Sequence, residues 1–123
     1  PCVILSSGET TTKILDNRTI QGHGGPSHEL TASFAISAAK APGCCMLSID
    51  SEGTDGTTLF AGGITDSQSL AAAERAGIDL HSALRGHATG EALDAMGDAV
   101  FTGNTGTNLC DFNVLYIPER VQK

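Results

Sequence analysis

Two acids, Glu52 and Asp55, bracket Gly53 in the segment S-E-G-T-D-G-T-T at residues 51–58. Such a pair can present carboxylate oxygens to a hydrated Mg²⁺, a cation that takes one or two carboxylates together with phosphate oxygens and water. Thr54, Thr57 and Thr58 add hydroxyls. The same letters also spell an Asp-Gly turn whose threonines bond the local backbone, and spacing alone leaves both readings open.

A second stretch, G-H-G-G-P-S-H-E-L at 22–30, places a proline just inside the start of a helical pattern. With Gly25 as N-cap, Pro26 takes the first helical position, where its missing N–H costs nothing. The amides that follow can then face an anion that the helix dipole also favours. Plain helix-start geometry accounts for the same residues. The third stretch, T-G-N-T-G-T-N at 102–108, can aim successive backbone N–H groups at an oxyanion. It has no Lys and no helical pattern behind it, which rules out the nucleotide-binding P-loop; a long glycine-rich connection is the alternative. His23, His28, His81 and His87 have no Ser or Cys at an informative spacing, so no nucleophilic triad is spelled. Cys2, Cys44, Cys45 and Cys110 form no C-x-x-C pair and read as reduced structural thiols; no ligand spacing supports a zinc site with His23 or His28.

These stretches need elements to hold them. C-V-I-L (2–5) and T-T-T-K-I-L (10–15) read as two strands of a hairpin across S-S-G-E, with a further short strand at 18–21. Ser27 to Lys40 carries Leu30, Phe34 and Ala38 at a spacing of four, the stripe of a core-facing helix ended by Pro42-Gly43. C-C-M-L-S-I-D (44–50) is a continuous apolar run, the pattern of a strand covered on both faces, and the acidic loop follows it. Residues 67–76 form a helix with Asp66 as N-cap and Gly77 just past its end, 78–86 a short helical turn, and T-G-E-A-L-D-A-M a helix stopped by Gly97. A-V-F and F-N-V-L-Y-I close the chain as strands. The alternation predicts a single layered α/β domain with a mixed β-sheet flanked by helices.

Composition narrows the function. The chain has 123 residues, room for one hydrophobic core, and its net charge of −7 repels nucleic acid and anionic membranes. No apolar run approaches the roughly 20 residues that span a bilayer, and the chain reads as soluble and intracellular. Only 4% of residues are aromatic while 15 are glycine, which suits helices laid closely on a sheet.

S-G-E-T-T (7–11), G-H-G-G-P-S-H-E-L (22–30), D-G-T-T-L-F-A-G-G (55–63), A-G-I-D (76–79), M-G-D-A-V-F-T-G-N-T-G-T-N-L-C-D (96–111) and N-V-L-Y-I stand in the order and spacing of one family. The chain resembles the MOFRL domain, the C-terminal half of class II glycerate kinases, a family that also carries the name hydroxypyruvate reductase. The resemblance implies a single MOFRL-like domain over 1–123, the C-terminal part of a larger two-domain enzyme. It implies a cytoplasmic enzyme whose cleft, shared with an N-terminal Rossmann-like domain, transfers the γ-phosphoryl group of Mg-ATP to a glycerate-like small molecule. Phosphate and substrate would meet Gly24, Gly25, Ser27, Glu29, Asp55, Gly56, Thr58, Thr105, Gly106, Thr107 and Asn108, with Glu52 and Asp55 as the candidate Mg²⁺ ligands.

The departures matter as much. The family reads G-G-R-N-Q-E at the helix start, where this chain has Pro26, Ser27 and His28 before a retained Glu29. The arginine that would meet the transferring phosphate is gone, and His28 is the remaining candidate for a catalytic cation there. Asp50, Ser51, Glu52 and Gly53 stand where the family has G-T-D-G, Thr57 replaces a proline, and His87, Ala88, Thr89 and Gly90 stand for N-D-S-Y. The scaffold is kept better than the chemistry, so no tightly bound cofactor is expected on this chain alone. A non-catalytic anion-binding module is the competing reading, and a structural or assembly domain, with an oligomer left open, is a third. Hydride transfer is disfavoured because no G-x-G-x-x-G follows a strand and opens a helix.

Overall fold

The structure is a computed structural model that describes residues 1–119. In chain order the elements are β1 (Cys2–Gly8), a 3-10 turn (Asn17–Thr19), α1 (Pro26–Ala38), β2 (Cys45–Asp50), β3 (Gly62–Asp66), α2 (Ser69–Arg75), α3 (Leu80–Arg85), α4 (Thr89–Met96), β4 (Ala99–Val100) and β5 (Asp111–Ile117). The five strands form one sheet in the order β1-β5-β2-β3-β4. The layered α/β class holds. The sheet, expected to be mixed, is antiparallel at all four of its pairings.

The reason lies in the pairing partners. β1 does not turn back on its neighbour in sequence; Ser6, Ser7 and Gly8 continue the strand opposite Asn113, Phe112 and Asp111. The S-S-G-E segment is therefore mostly strand, and the expected hairpin with 10–15 has no turn to form on. Residues 18–21 are likewise no strand: Asp16 accepts the Arg18 N–H at 2.9 Å and its carbonyl accepts the Thr19 N–H at 2.9 Å, winding a 3-10 turn instead. β3 escapes a periodicity reading because it opens on Gly62-Gly63. A side chain at Gly63 would run into Thr31 of α1 and Leu93 of α4, so the glycine is what lets both helices lie against the sheet.

α1 is the central helix, packed on β2 and β3 on one side and on α2, α3 and α4 on the other. Its buried stripe is Ser27, His28, Thr31, Ala32, Ala35 and Ala38; of the expected Leu30, Phe34 and Ala38 line only Ala38 is buried, and Leu30 and Phe34 are half-buried. Small residues win that face because it must approach the sheet closely, and Thr65 of β3 donates its hydroxyl to the Thr31 carbonyl at 2.8 Å across the contact. The apolar core sits among the helices, built from Ala32, Ala35, Ala73, Leu80 and Ala92 with Ile36, Leu70 and Met96 against it. α2 starts at Ser69 behind Gln68 rather than directly after Asp66, whose carboxylate instead accepts the Gln68 N–H at 2.7 Å. Gly77 and Gly97 follow α2 and α4 as expected, both at positive φ.

β2 was expected to be covered on both faces. Ser48 points to the helices and is buried, whereas Leu47 and Ile49 on the opposite face are only half-buried, because no element among the described residues packs there. All four cysteines are free thiols, two of them exposed. Burial pushes the Cys45 thiol up, aided by the nearby Asp66 and Asp98 carboxylates.

Candidate functional site

Where β2 ends and β5 begins, four polar segments meet: the acidic loop 51–58, the glycine loop 22–25 with the start of α1, the threonine loop 102–110, and Thr10 after β1. The joint is dense. Asp55 is 1% exposed and accepts the backbone N–H groups of Ser27 at 3.2 Å and His28 at 2.8 Å. Its Oδ2 also pairs with His28 Nδ1, and His28 is fully buried. The sequence left this helix start open between an anion site and plain entry geometry; in the structure the Ser27 and His28 amides take the chain's own Asp55 carboxylate. Gly25 is the extended N-cap and Pro26 follows at the first helical position, as the sequence implied. A side chain at Gly25 would touch the Asp55 carboxylate at 2.5 Å, so the residue must be bare for the acid to reach the helix.

The rest of the acidic loop is tied to the same place. The Thr57 N–H donates to the Gly24 carbonyl at 3.1 Å. Gly56 stands at φ +59° with its Cα against that carbonyl, an approach that leaves no room for a Cβ. Thr58 donates its hydroxyl to Asp55 and Phe60 carbonyls at 2.9 and 3.0 Å, so it braces the turn from inside. On the other side, Ser51 accepts the Leu109 N–H at 2.7 Å and donates its own N–H to the Cys110 carbonyl at 3.2 Å. Thr105 donates its N–H to the Glu52 carbonyl at 3.2 Å and its hydroxyl to the Ser51 carbonyl. Gly53 lies directly under the Gly103 carbonyl at φ +96°. Asp111, nearly buried, accepts the Thr10 N–H at 2.7 Å and sits 3.5 Å from the Ser27 hydroxyl.

Two further histidine–carboxylate pairs flank this joint. His87 Nδ1 lies 2.6 Å from Glu29 of α1, with both side chains about one-fifth exposed. His87 holds a positive φ of 52°, a conformation uncommon for a residue with a Cβ. His23 meets Glu91 of α4 at 2.7 Å, and Glu91 also accepts the His23 N–H at 2.9 Å. Burial pushes the Glu91 carboxyl up, but the two bonds from His23 outweigh it and hold the group below its ordinary range.

The residues picked from sequence thus divide. Gly24, Gly25, Ser27, Glu29, Asp55, Gly56 and Thr58 lie together at the start of α1. Thr105, Gly106, Thr107 and Asn108 form an exposed loop joined to them through residues 51–53. Of the two candidate Mg²⁺ ligands, Asp55 is buried with both oxygens accepting backbone N–H groups, and Glu52 is exposed. Among the described residues no group of three or more His, Cys, Asp or Glu side chains is placed to hold a metal ion. His28, the catalytic candidate, lies inside the wall rather than on its surface, and its Nε2 has no partner there. Sequence reasoning did not choose Ser51, Glu91 or Asp111 as site residues, although Ser51 and Asp111 fall in segments matched to the family. Their partners are not legible locally, because each works through a contact between 58 and 101 residues away along the chain.

The wall still offers donors. Among the described residues, the N–H groups of Gly24, Gly56, Gly103 and Asn104 find no protein acceptor. The three loops at 22–29, 51–58 and 102–108 contain no Lys or Arg. The arrangement thus presents neutral amides and hydroxyls, with His23 and His28 as the titratable nitrogens of these loops.

A family profile described as MOFRL family matches residues 2–111. A glycerate 2-kinase of Pyrococcus horikoshii is 40% identical over 111 residues, covering 89% of this chain and 24% of that protein. An Agrobacterium vitis protein carrying a hydroxypyruvate reductase name is 36% identical over 117 residues, 95% of this chain and 26% of its own length. The crystal structure of a Thermotoga maritima glycerate kinase superposes with a TM-score of 0.88 at 32% identity, over 96% of this chain and 28% of that one. The chain spans about a quarter of the length of these relatives.

Proposed function

The chain belongs to the MOFRL family, and from that premise we propose that it supplies the loop-bearing domain of a glycerate-kinase-type enzyme. In this reading the loops at 22–29, 51–58 and 102–108 form one side of a cleft in which Mg-ATP phosphorylates a glycerate-like hydroxy acid. A Rossmann-like domain completes the other side. The observation that carries the reading is the meeting of these loops at one end of the sheet, where Ser51, Thr57 and Thr105 tie each to the next. Phosphoryl transfer asks mainly for positioning and for charge stabilisation at the transferring group. This chain's part is positioning: the amides of Gly24, Gly56, Gly103 and Asn104 and the threonine hydroxyls orient oxygens. The positive charge must come from elsewhere in the enzyme. Glu52 and Asp55 do not fit a Mg²⁺ site, so no step is assigned to a metal held by this chain.

The test is a single polypeptide in which these 123 residues replace the matching 28% of the Thermotoga maritima glycerate kinase. Glycerate-dependent release of ADP from Mg-ATP is the expected result. A chimera that is folded by circular dichroism yet releases no ADP with glycerate would overturn the reading. A second reading, a non-catalytic anion-binding module, is favoured by the absence of Lys and Arg from the three loops. It predicts inactivity together with phosphate-dependent amide shifts confined to those loops.

A further inference from the structure

We infer that the sheet face turned away from the helices is a docking surface for another part of the same polypeptide. The inference rests on the reading above that a further domain accompanies this one, and it assigns the surface that takes it. Ser48 and Thr65 point to α1 and are buried, so their neighbours Leu47 and Ile64 point the other way. The register then lines up Leu5, Val114, Leu47 and Ile64 as one apolar row across four strands. Val3 beside Tyr116 and Phe112 near the loop end extend the row into a patch. Leu5 is 67% exposed, Val3 56%, Ile64 44%, Tyr116 42% and Phe112 41%.

That patch is not ordinary surface. Two of the chain's five Phe and Tyr residues, Phe112 and Tyr116, lie in it and are exposed. Aromatic anchors of this kind concentrate at interfaces, and contiguous apolar patches mark them. β1, at the edge, is exposed along all seven residues, including Ile4 on its other face, and carries no Lys or Pro to block pairing.

Size decides the occupant. Four strands about 4.8 Å apart and six residues long at about 3.3 Å each outline a face of roughly 400 Å². A stable pair of separate molecules needs about 800 Å² from each partner, so a second copy seated on this face alone falls short. A segment joined covalently does not lose the translational freedom that a free partner loses, and a smaller face suffices. The relatives carry about three quarters of their length outside the region this chain matches. The occupant is therefore an apolar layer contributed by that remainder.

The experiment compares amide hydrogen exchange in the isolated chain with that in the chimera. In the chimera, β1 and β5 amides are expected to exchange at least about tenfold more slowly than in the isolated chain. Leu5→Lys with Tyr116→Lys should cancel that protection, while the melting temperature of the isolated chain stays within about 2 °C because both sites are exposed there. Unchanged exchange in β1 and β5, or new protection confined to α2 and α4, overturns the inference. So does an isolated chain that sediments as a dimer and is split by the same substitutions, which gives the face to a second copy. None of these readouts depends on phosphorylation, so an inactive chimera with protected strands refutes the enzymatic reading and leaves this one standing.

Discussion

Replacing Asp55 by Ala tests the internal anion directly. The carboxylate is 1% exposed and receives three donors, the Ser27 amide at 3.2 Å, the His28 amide at 2.8 Å and the His28 ring. Its loss removes the cap of α1, about 1–2 kcal/mol, and strands buried donors at about 1–3 kcal/mol each. Part of this overlaps, and a total of roughly 3–5 kcal/mol is expected, against about 5–15 kcal/mol of stability for a domain. In urea, with a slope of about 1.5 kcal/mol/M, the unfolding midpoint should fall by roughly 2–3 M. Far-ultraviolet circular dichroism follows the transition because α1 is the longest helix. Asp55→Asn keeps one acceptor and should fall between the two. A midpoint drop below about 0.5 M for Asp55→Ala would show that the acid is not holding the helix, and the account of the site would have to be rebuilt with Asp55 as a free ligand.

Three other substitutions probe separate parts of the molecule. Gly53→Ala places a methyl group against the Gly103 carbonyl; loops 51–58 and 102–110 should separate, with faster exchange at the Thr105 and Leu109 amides and a stability loss of about 1–3 kcal/mol. Asp98→Asn addresses a carboxyl raised above its ordinary value by burial first and by the Asp66 charge, against the bond from Ser69. The native state holds that proton more tightly than the unfolded chain, so Asp98 costs stability as pH rises above the usual carboxylate range. The Asn variant should therefore melt higher than the parent at pH 7 and lose its advantage as pH drops below about 4, the unfolded carboxylate value. Asp111→Ala frees the Thr10 amide; trypsin should then cut after Lys13 several-fold faster, and an unchanged rate would show that the 9–16 segment is held by something else.

The sequence revealed local features better than distant ones. Pro26 behind Gly25 marked the start of α1, Gly77 and Gly97 the ends of α2 and α4, and the apolar runs at 44–50 and 112–117 the two central strands; each signal lies within a few residues of the feature it announces. β3 was missed because its glycines serve packing against Thr31 and Leu93 rather than alternation. The hairpin at 2–15 was misread because the partner of β1 lies at the far end of the chain. The loops were recognised from their composition and from family resemblance, and they do meet. The chemistry of that meeting was not legible: nothing near residue 55 in sequence says that its carboxylate will be spent on the amides of residues 27 and 28.

The pairing of β1 with β5 also dictates an order of events during synthesis. Among the described residues Cys2–Gly8 pairs as a strand only with Asp111–Ile117, and β5 is also the neighbour of β2. An emerging chain can gather its helices around Ala32 and Leu80 early, but β1 waits as a bare apolar ribbon until β5, more than 100 residues later, has left the ribosome. Closing a loop of that length is slow, and the waiting strand is open to the wrong neighbour throughout. A stop before residue 111 would leave β1 without its partner and the β2 edge unpaired, so shortened products of this gene should be found with chaperones or proteases rather than as soluble fragments.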